Sequence, residues 1–460
     1  MKTTATWRYA TIPMALAGFC GAGLLVAVSP VTAAVAAGCV LALAALFARP
    51  QLLRFVVIGL VLVPSVGLLR STGSAVVAAQ LAQSIESGSW LNRAAATVLF
   101  AIGVASIGVR FRQLRQINLL PWFGLFLALV LSSLVWSDSQ PLTLRRSVEA
   151  LFIVVFALGV GGVYFGRRQE GHAEVIRTIC WASSLMTFGI LTAFLVRGEV
   201  HLTDPAWRLG HEGVENQVGW VASVGLLLAW VTRGRSDIWT SKPMLRFQLT
   251  VTGLGVLLSK SRETWLGVLA GVVAMQLIEG RSLRKGIAGA ALVLVAVGAL
   301  ASIPAVQQVW QRGATEEDLE SASGRTQLWA AAWPMIEAHL WLGHGLGAFW
   351  TPHTVLALST HWSPTSLHNG YLDSVAELGV VGMALIALCF AISARNAWRL
   401  MRRGGDFEIG LSLLVLYASF AVINSFASIL EVFNFFPVTA MLVLSFFVSR
   451  RLTLRAASEG

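Results

Sequence analysis

His368 and Asn369 lead directly into an apolar run, and arginines lie upstream: Arg145, Arg146 and Arg262 at the edges of apolar runs, Arg208 in a connection between two of them, and Arg325 in the long polar loop. An imidazole with a pKa near neutrality can take the proton of a hydroxyl as that hydroxyl attacks. Guanidinium groups stay charged and present a planar donor fork that grips phosphate oxygens. Together these residue types suit displacement of a phosphate leaving group by a hydroxyl. Each also has a plainer role. His368 fits a hydrogen-bonded structural residue at a helix entrance, Asn369 an N-cap for the following helix, and each arginine an anchor to lipid phosphates. Several arginines converging on one face favour an anion site over separate anchors.

The remaining polar residues divide more simply. Asp373 and Glu377 lie four apart, one turn beyond His368, where carboxylates are costly; Glu377 can orient the histidine or pair with an arginine. His339, His344, His353 and His361 lack metal-ligand spacing, so no metal site is expected. Gly343, Gly345 and Gly347 lack the strand-to-helix context of a phosphate loop and read as a tight turn. Glu316, Glu317, Asp318 and Glu320 read as a solvated loop face. Trp329, Trp333 and Trp341 fit a loop lying on a membrane interface. Cys20, Cys39, Cys180 and Cys389 all fall in apolar runs as small buried residues.

The scaffold that must position these residues is apolar. Of 460 residues 56% are hydrophobic and 12% charged, which excludes an ordinary soluble protein. Runs of about 20 residues suffice to cross a bilayer core of about 30 Å. They predict an all-α polytopic integral membrane protein with about 14 spans: 10–28, 31–48, 54–69, 94–109, 118–136, 148–166, 175–196, 216–232, 246–259, 264–280, 286–303, 371–394, 408–424 and 431–449. Segment 75–92 reads as an interfacial amphipathic helix. The N-terminal apolar run is long for a cleaved signal and reads as a retained first span.

The net charge of +11 follows membrane topology rather than nucleic-acid binding. Clusters such as Arg110/Arg112/Arg115, Arg281/Arg284/Lys285 and Arg450/Arg451 fall on alternate connections. With those inside, both termini are cytoplasmic and 304–370 becomes a large outer-face loop, periplasmic in a bacterium with two membranes. Four regions result: 1–117, N-terminal spans; 118–303, central spans with the outer-face arginines; 304–370, the loop with short helices; and 371–460, C-terminal spans and tail.

Read together, these motifs resemble the O-antigen ligase and polysaccharide polymerase superfamily, the WaaL and Wzy proteins. His368-Asn369, then nine residues, then Gly379-Val-Val-Gly382 is similar to the ligase motif. Ser-Gly-Arg325-Thr-Gln-Leu-Trp, the glycine turn with Phe349-Trp350, and Ser259-Lys-Ser261-Arg262 match further elements, as does Arg208-Leu-Gly210 with Asn216 and Gly219. The likeness covers about residues 140–450.

The resemblance implies a metal-independent, cofactor-free inverting glycosyltransferase of GT-C type in the inner membrane, with a periplasmic active site. Its donor would be an undecaprenyl-diphosphate-linked oligosaccharide, and its acceptor a lipid-linked glycan or lipid A core. On that likeness His368 is the general base. Arg208, Arg262 and Arg146 hold the diphosphate, while Arg325, Asn369, Asn216 and Glu377 bind substrate or position the loop. Gly-Arg-Thr-x-x-Trp and His-Asn-Gly-Tyr-Leu-Asp are closer to exopolysaccharide polymerases than to ligases. A lipid-linked oligosaccharide flippase is the contrasting expectation; it requires mid-span charges and two repeated halves, and the sequence has no internal repeat.

Overall fold

The computed structural model describes residues 90–108, 111–166, 171–197, 200–201, 207–209, 215–280, 284–289, 291–292, 295, 324–359, 364–402, 406–428 and 436–459. The expected spans 10–28, 31–48 and 54–69, most of 286–303, and the acidic run at 316–320 lie outside these residues. So does the expected interfacial segment as far as Ser89, while Trp90 already opens a helix.

The described residues fold into helices without a strand. In chain order these are α1 (Trp90–Gly108), α2 (Leu120–Ser132), α3 (Gln140–Ala157), α4 (Gly171–Arg197), α5 (Glu215–Val231) and α6 (Lys242–Leu258). There follow α7 (Arg262–Glu279), α8 (Arg325–Ala338), α9 (Pro352–Leu358), α10 (Gly370–Arg402), α11 (Phe407–Asn424) and α12 (Phe436–Glu459). Stretches Gln140–Phe165, Gly171–Val196, Gly370–Arg402, Phe407–Asn424 and Phe436–Ala456 are long and apolar enough to cross a bilayer; Ala96–Gly108, Leu120–Val135 and Asn216–Val231 are shorter apolar helices. This is the architecture of a polytopic helical membrane protein.

Where the expected spans and the helices differ, hydropathy was blind to helical signals outside the apolar window. Helix α3 begins at Gln140, eight residues before the expected span, because Pro141 suits a helix start. Arg145 and Arg146 therefore lie within its early turns instead of preceding it. Helix α10 runs on to Arg402 and α12 to Glu459, both past the expected span ends.

Alternating helix directions sort the connections to two ends. At one end ion pairs tie turns together. Arg235 bridges Asp237 at 2.8 Å and Glu408 at 2.7 Å, His172 lies 2.7 Å from Asp237, and Asp406 takes Arg455 at 2.9 Å. The Arg235 guanidinium holds the Asp237 carboxyl well below the usual carboxylate range. Asn118 and Asn396 exchange reciprocal amide bonds of 3.2 and 2.9 Å at this same end. All the motif residues gather at the other end.

Within the bundle, close backbone approaches set the helix spacing. A π-helical stretch, Leu158–Phe165, continues α3 and lays Gly159 on Gly103 and Gly161 on the Val443 carbonyl. Gly267 of α7 packs on Ser419 and Ile423 of α11, and Gly271 on Val415, so α7 and α11 run antiparallel in close contact. At the motif end a small second core caps the bundle. Leu328, Ala332 and Ile336 of α8 meet Phe349, Trp350, Val355 and Leu358, together with Leu367 and Ala376. The loop expected to hold short helices does so in α8 and α9.

Candidate active site

Two polypeptide turns form the site, one on each side of the C-terminal end of α11. The first joins α6 to α7. Ser261 caps α7 by accepting the Thr264 amide at 3.3 Å, so Arg262 is the first residue of a helix whose N-terminal amides favour an anion. Lys260 precedes it with φ 45°, a left-handed backbone that non-glycine residues avoid. Its ammonium lies 5.9 Å from the Trp207 ring centroid, within cation–π range. Arg208 reaches the same turn: its Nε donates to the Ser259 carbonyl at 2.8 Å and a terminal nitrogen to Asn216 Oδ1. The Leu209 amide donates to the Leu258 carbonyl at 2.8 Å, sealing the strap over a satellite core of Ile190, Phe194 and Val218. Gly219 lets α5 approach; a Cβ there would meet Thr264 Oγ1 at 2.6 Å and Ser259 Oγ at 2.7 Å. The structure therefore brings Arg208, Asn216, Lys260 and Arg262 together from three chain regions.

The second turn carries His368, which also has a left-handed backbone, φ 51°. Asn369 behind it is the N-cap. Its Oδ1 accepts the amides of Tyr371 at 3.1 Å and Leu372 at 3.2 Å, so the capping reading describes this side chain. Gly370 presses against Asn424, and its amide donates to the Ala427 carbonyl at 3.0 Å, fixing the turn to the end of α11. Arg262, at the head of the helix packed on the other side of α11, flanks that same end.

Buried groups hold the His368 turn rigidly. The Asp373 carboxylate accepts the Leu367 amide at 3.0 Å, the Trp350 indole at 3.1 Å and the Ser428 hydroxyl. Trp329 of α8 donates its indole N–H to the Leu367 carbonyl at 2.7 Å. Trp329 is thus a support for the histidine turn instead of an interfacial side chain, while Trp341 is exposed as expected. Trp329→Phe keeps the ring and loses that bond; thermal unfolding should report a loss of about 1 kcal/mol.

Arg325 opens α8 after Gly324 and acts electrostatically on His368. Burial, and then the Arg325 charge, lower the His368 imidazole from an ordinary 6.5 to about 4. His368 is therefore neutral at neutral pH, the form that can accept a proton.

Arg146 and Glu377 form a separate pair. The aliphatic stem of Arg146 packs over Gly347, its charge acts on Glu377, and Glu377 Oε1 is buried with no hydrogen-bond partner among the described residues. Glu377 thus faces an arginine, one of the two roles its position suggested. Arg146 also pairs with Glu149 at 3.4 Å.

The glycine turn has an architectural task. Gly343, Gly345 and Gly347 all have positive φ, as a tight turn requires. The turn runs alongside α10 where that helix breaks at Gly379, φ 67° and ψ −176°. Backbone bonds cross the break: His344 N to Ala376 O at 3.0 Å, Gly345 N to Glu377 O at 2.9 Å, and Val380 N to Leu340 O at 2.9 Å. The sequence offered His344 only as a metal-ligand candidate and gave no role to Asp138. His344 Nδ1 lies 2.5 Å from Asp138 Oδ2 and Nε2 lies 3.1 Å from the Met335 carbonyl, clamping the turn to the α2–α3 connection. A lone aspartate between two apolar runs gave no signal for this.

Residues 248–387 match the O-antigen ligase family model, Wzy_C. The matched segment runs from α6 through the glycine turn into α10. It includes Arg262, Arg325, His368, Asn369 and Glu377, and excludes Arg146, Arg208 and Asn216. No curated protein matches the chain.

Proposed function

We propose that this chain, which carries an O-antigen ligase-type (Wzy_C) domain, is a polysaccharide polymerase. It is an inverting glycosyltransferase of GT-C type with about 14 spans, working at the periplasmic face of the bacterial inner membrane. It transfers a glycan from undecaprenyl diphosphate to the hydroxyl of a second lipid-linked glycan. Arg208 and Arg262, with Lys260 and the N-terminus of α7, receive the diphosphate and stabilise its charge as it leaves. These cations supply the charge neutralisation that a divalent metal gives elsewhere. His368 removes the acceptor hydroxyl proton; the hydroxyl oxygen bonds to the anomeric carbon from the face opposite the breaking carbon–oxygen bond to the diphosphate, whose oxygen departs with the electron pair. Burial, and then the Arg325 charge, keep the resting imidazole unprotonated. Arg146 and Glu377 position the glycine turn.

The observation that supports this reading best is the pair of left-handed, non-glycine residues, Lys260 and His368, on either side of one helix end. Such backbone strain persists where surrounding structure over-determines it, and it clusters at functional sites. A cationic turn on one side and a neutral imidazole on the other is what phosphate displacement by a hydroxyl needs.

The test supplies purified protein in lipid nanodiscs with labelled lipid-linked repeat alone. Chain growth supports the polymerase. Product only after lipid A core is added supports the ligase alternative. No product under either condition sinks the glycosyltransfer reading. Arg262→Lys keeps the charge and removes the fork, and kcat should fall roughly tenfold. Unchanged turnover would make Arg262 a membrane anchor only.

A further inference from the structure

A groove of about 310 Å³ lies between α10, α11 and α12, and no residue given a role above accounts for it. Along α10 it follows Met383, Ala387, Ala391 and Ala394, the three-to-four spacing of one helix face. Ala387 and Ala391 are exposed and open the groove sideways, while Phe420 and Met441 form its buried floor. Met383 to Ala394 is a rise of roughly 16 Å, about half of a bilayer core. Its lining is mostly apolar and it opens sideways where a bilayer would lie, so it suits a lipid hydrocarbon chain.

The two ends of the groove differ. Its mouth is Tyr371 and Asn424, at the His368 turn: Tyr371 is three residues from His368, and Asn424 packs under Gly370. The far end lies deep among the spans at Ala394 and Tyr417. A chain seated there delivers its head group beside the imidazole.

The faces of α11 decide which substrate this is. Ser419 and Ile423 face α7, the helix headed by Arg262. Tyr417, Phe420, Ala421 and Asn424 face the groove, which at 100° per residue is the opposite side of the helix. The groove thus reaches His368 from the side away from the arginine cluster. We propose that it holds the hydrocarbon chain of the acceptor's lipid anchor, so that donor and acceptor lipids approach along opposite faces of α11. This rests on the glycosyltransfer reading above, which assigns the donor diphosphate to Arg208 and Arg262.

The experiment measures transfer in nanodiscs from labelled lipid-linked repeat to two acceptors: the glycan on its lipid anchor, and the same glycan released by mild acid. Wild-type protein should use the anchored acceptor at least about tenfold better in kcat/KM, the worth of burying about two methylenes. Ala391→Phe fills the groove and should bring the anchored acceptor down to the level of the released one, with the KM for donor unaltered. Ala387→Phe should act alike, and unfolding temperature checks that both variants fold. Ala384→Phe, an exposed position off the groove, should leave transfer intact. A rise in donor KM in the filled variants would assign the groove to the donor and overturn the inference. An undiminished preference for the anchored acceptor would leave it an ordinary bilayer crevice, overturning the inference alone. No transfer by wild-type protein to either acceptor would overturn this inference and the glycosyltransfer reading together.

Discussion

His368→Ala should abolish most transfer, lowering kcat by about 10²–10⁴, the usual share of a positioned general base. The variant should accumulate normally in the membrane, because Asp373, Asn369, Gly370 and Trp329 all supply bonds that hold this turn. Replacing His368 also replaces a left-handed non-glycine residue, so His368→Gly relieves the backbone while removing the base. If both variants are equally inactive, the imidazole is what transfer needs. Normal transfer by the purified His368→Ala protein would end the general-base assignment.

The pH dependence adds a second readout. Burial and Arg325 lower the His368 pKa to about 4, so the free enzyme holds its neutral base down to about that pH. The acid limb of kcat/KM, which reports free-enzyme ionisations, should therefore fall near pH 4 and not near 6.5. Arg325→Gln removes a cation that disfavours protonation, so the imidazole pKa rises and the limb moves to higher pH. A purely structural role for Arg325 would change rate or stability and leave the limb in place.

Much of this arrangement was legible in the chain, though unevenly. Apolar runs revealed the long spanning helices because the bilayer dictates one length and one composition. Asn369 declared itself a cap because capping is local chemistry, read from a residue and the three that follow. The association of Arg208, Asn216 and Arg262 showed only as motif order. What makes it a site, an arginine reaching the carbonyl at the end of α6 and a strained Lys260, depends on packing between distant segments. Asp138 with His344 and Trp329 with Leu367 are pairings of the same kind, with no periodicity to betray them. The least legible feature was the break in α10. Leu378-Gly379-Val380-Val381-Gly382 reads as an uninterrupted span, and only the segment from Leu340 to Gly345 lying against it shows why a helix stops there.

Gly379→Ala should therefore be among the most damaging single changes in the chain. A Cβ at Gly379 would stand 2.1 Å from the Trp341 carbonyl oxygen and 2.4 Å from the Leu342 amide nitrogen. Both are backbone atoms, pinned by the bonds to Val380 and Val381, so neither can turn aside as a side chain would. With φ 67° and ψ −176°, the position also lies in a backbone region essentially restricted to glycine. The backbone conformation alone costs about 1–3 kcal/mol for alanine, and the clash adds to it, so a loss above about 3 kcal/mol is expected. The consequence reaches the chemistry through a short path. Freeing the Leu340–Gly345 segment releases the Gly347–Arg146–Glu377 contacts and the wall of the small core that supports Trp350, the donor to Asp373, which holds the His368 turn. Proteolysis of membrane vesicles should then cut between Arg325 and His368, and transfer should vanish with the fold. Gly253→Ala in α6 is the matched comparison: an added Cβ meets nothing within 4 Å there, and helical alanine should be neutral or stabilising by up to about 1 kcal/mol. If Gly379→Ala unfolds at the temperature of Gly253→Ala and resists the protease equally, the crossing of the glycine turn over α10 is not what holds the site.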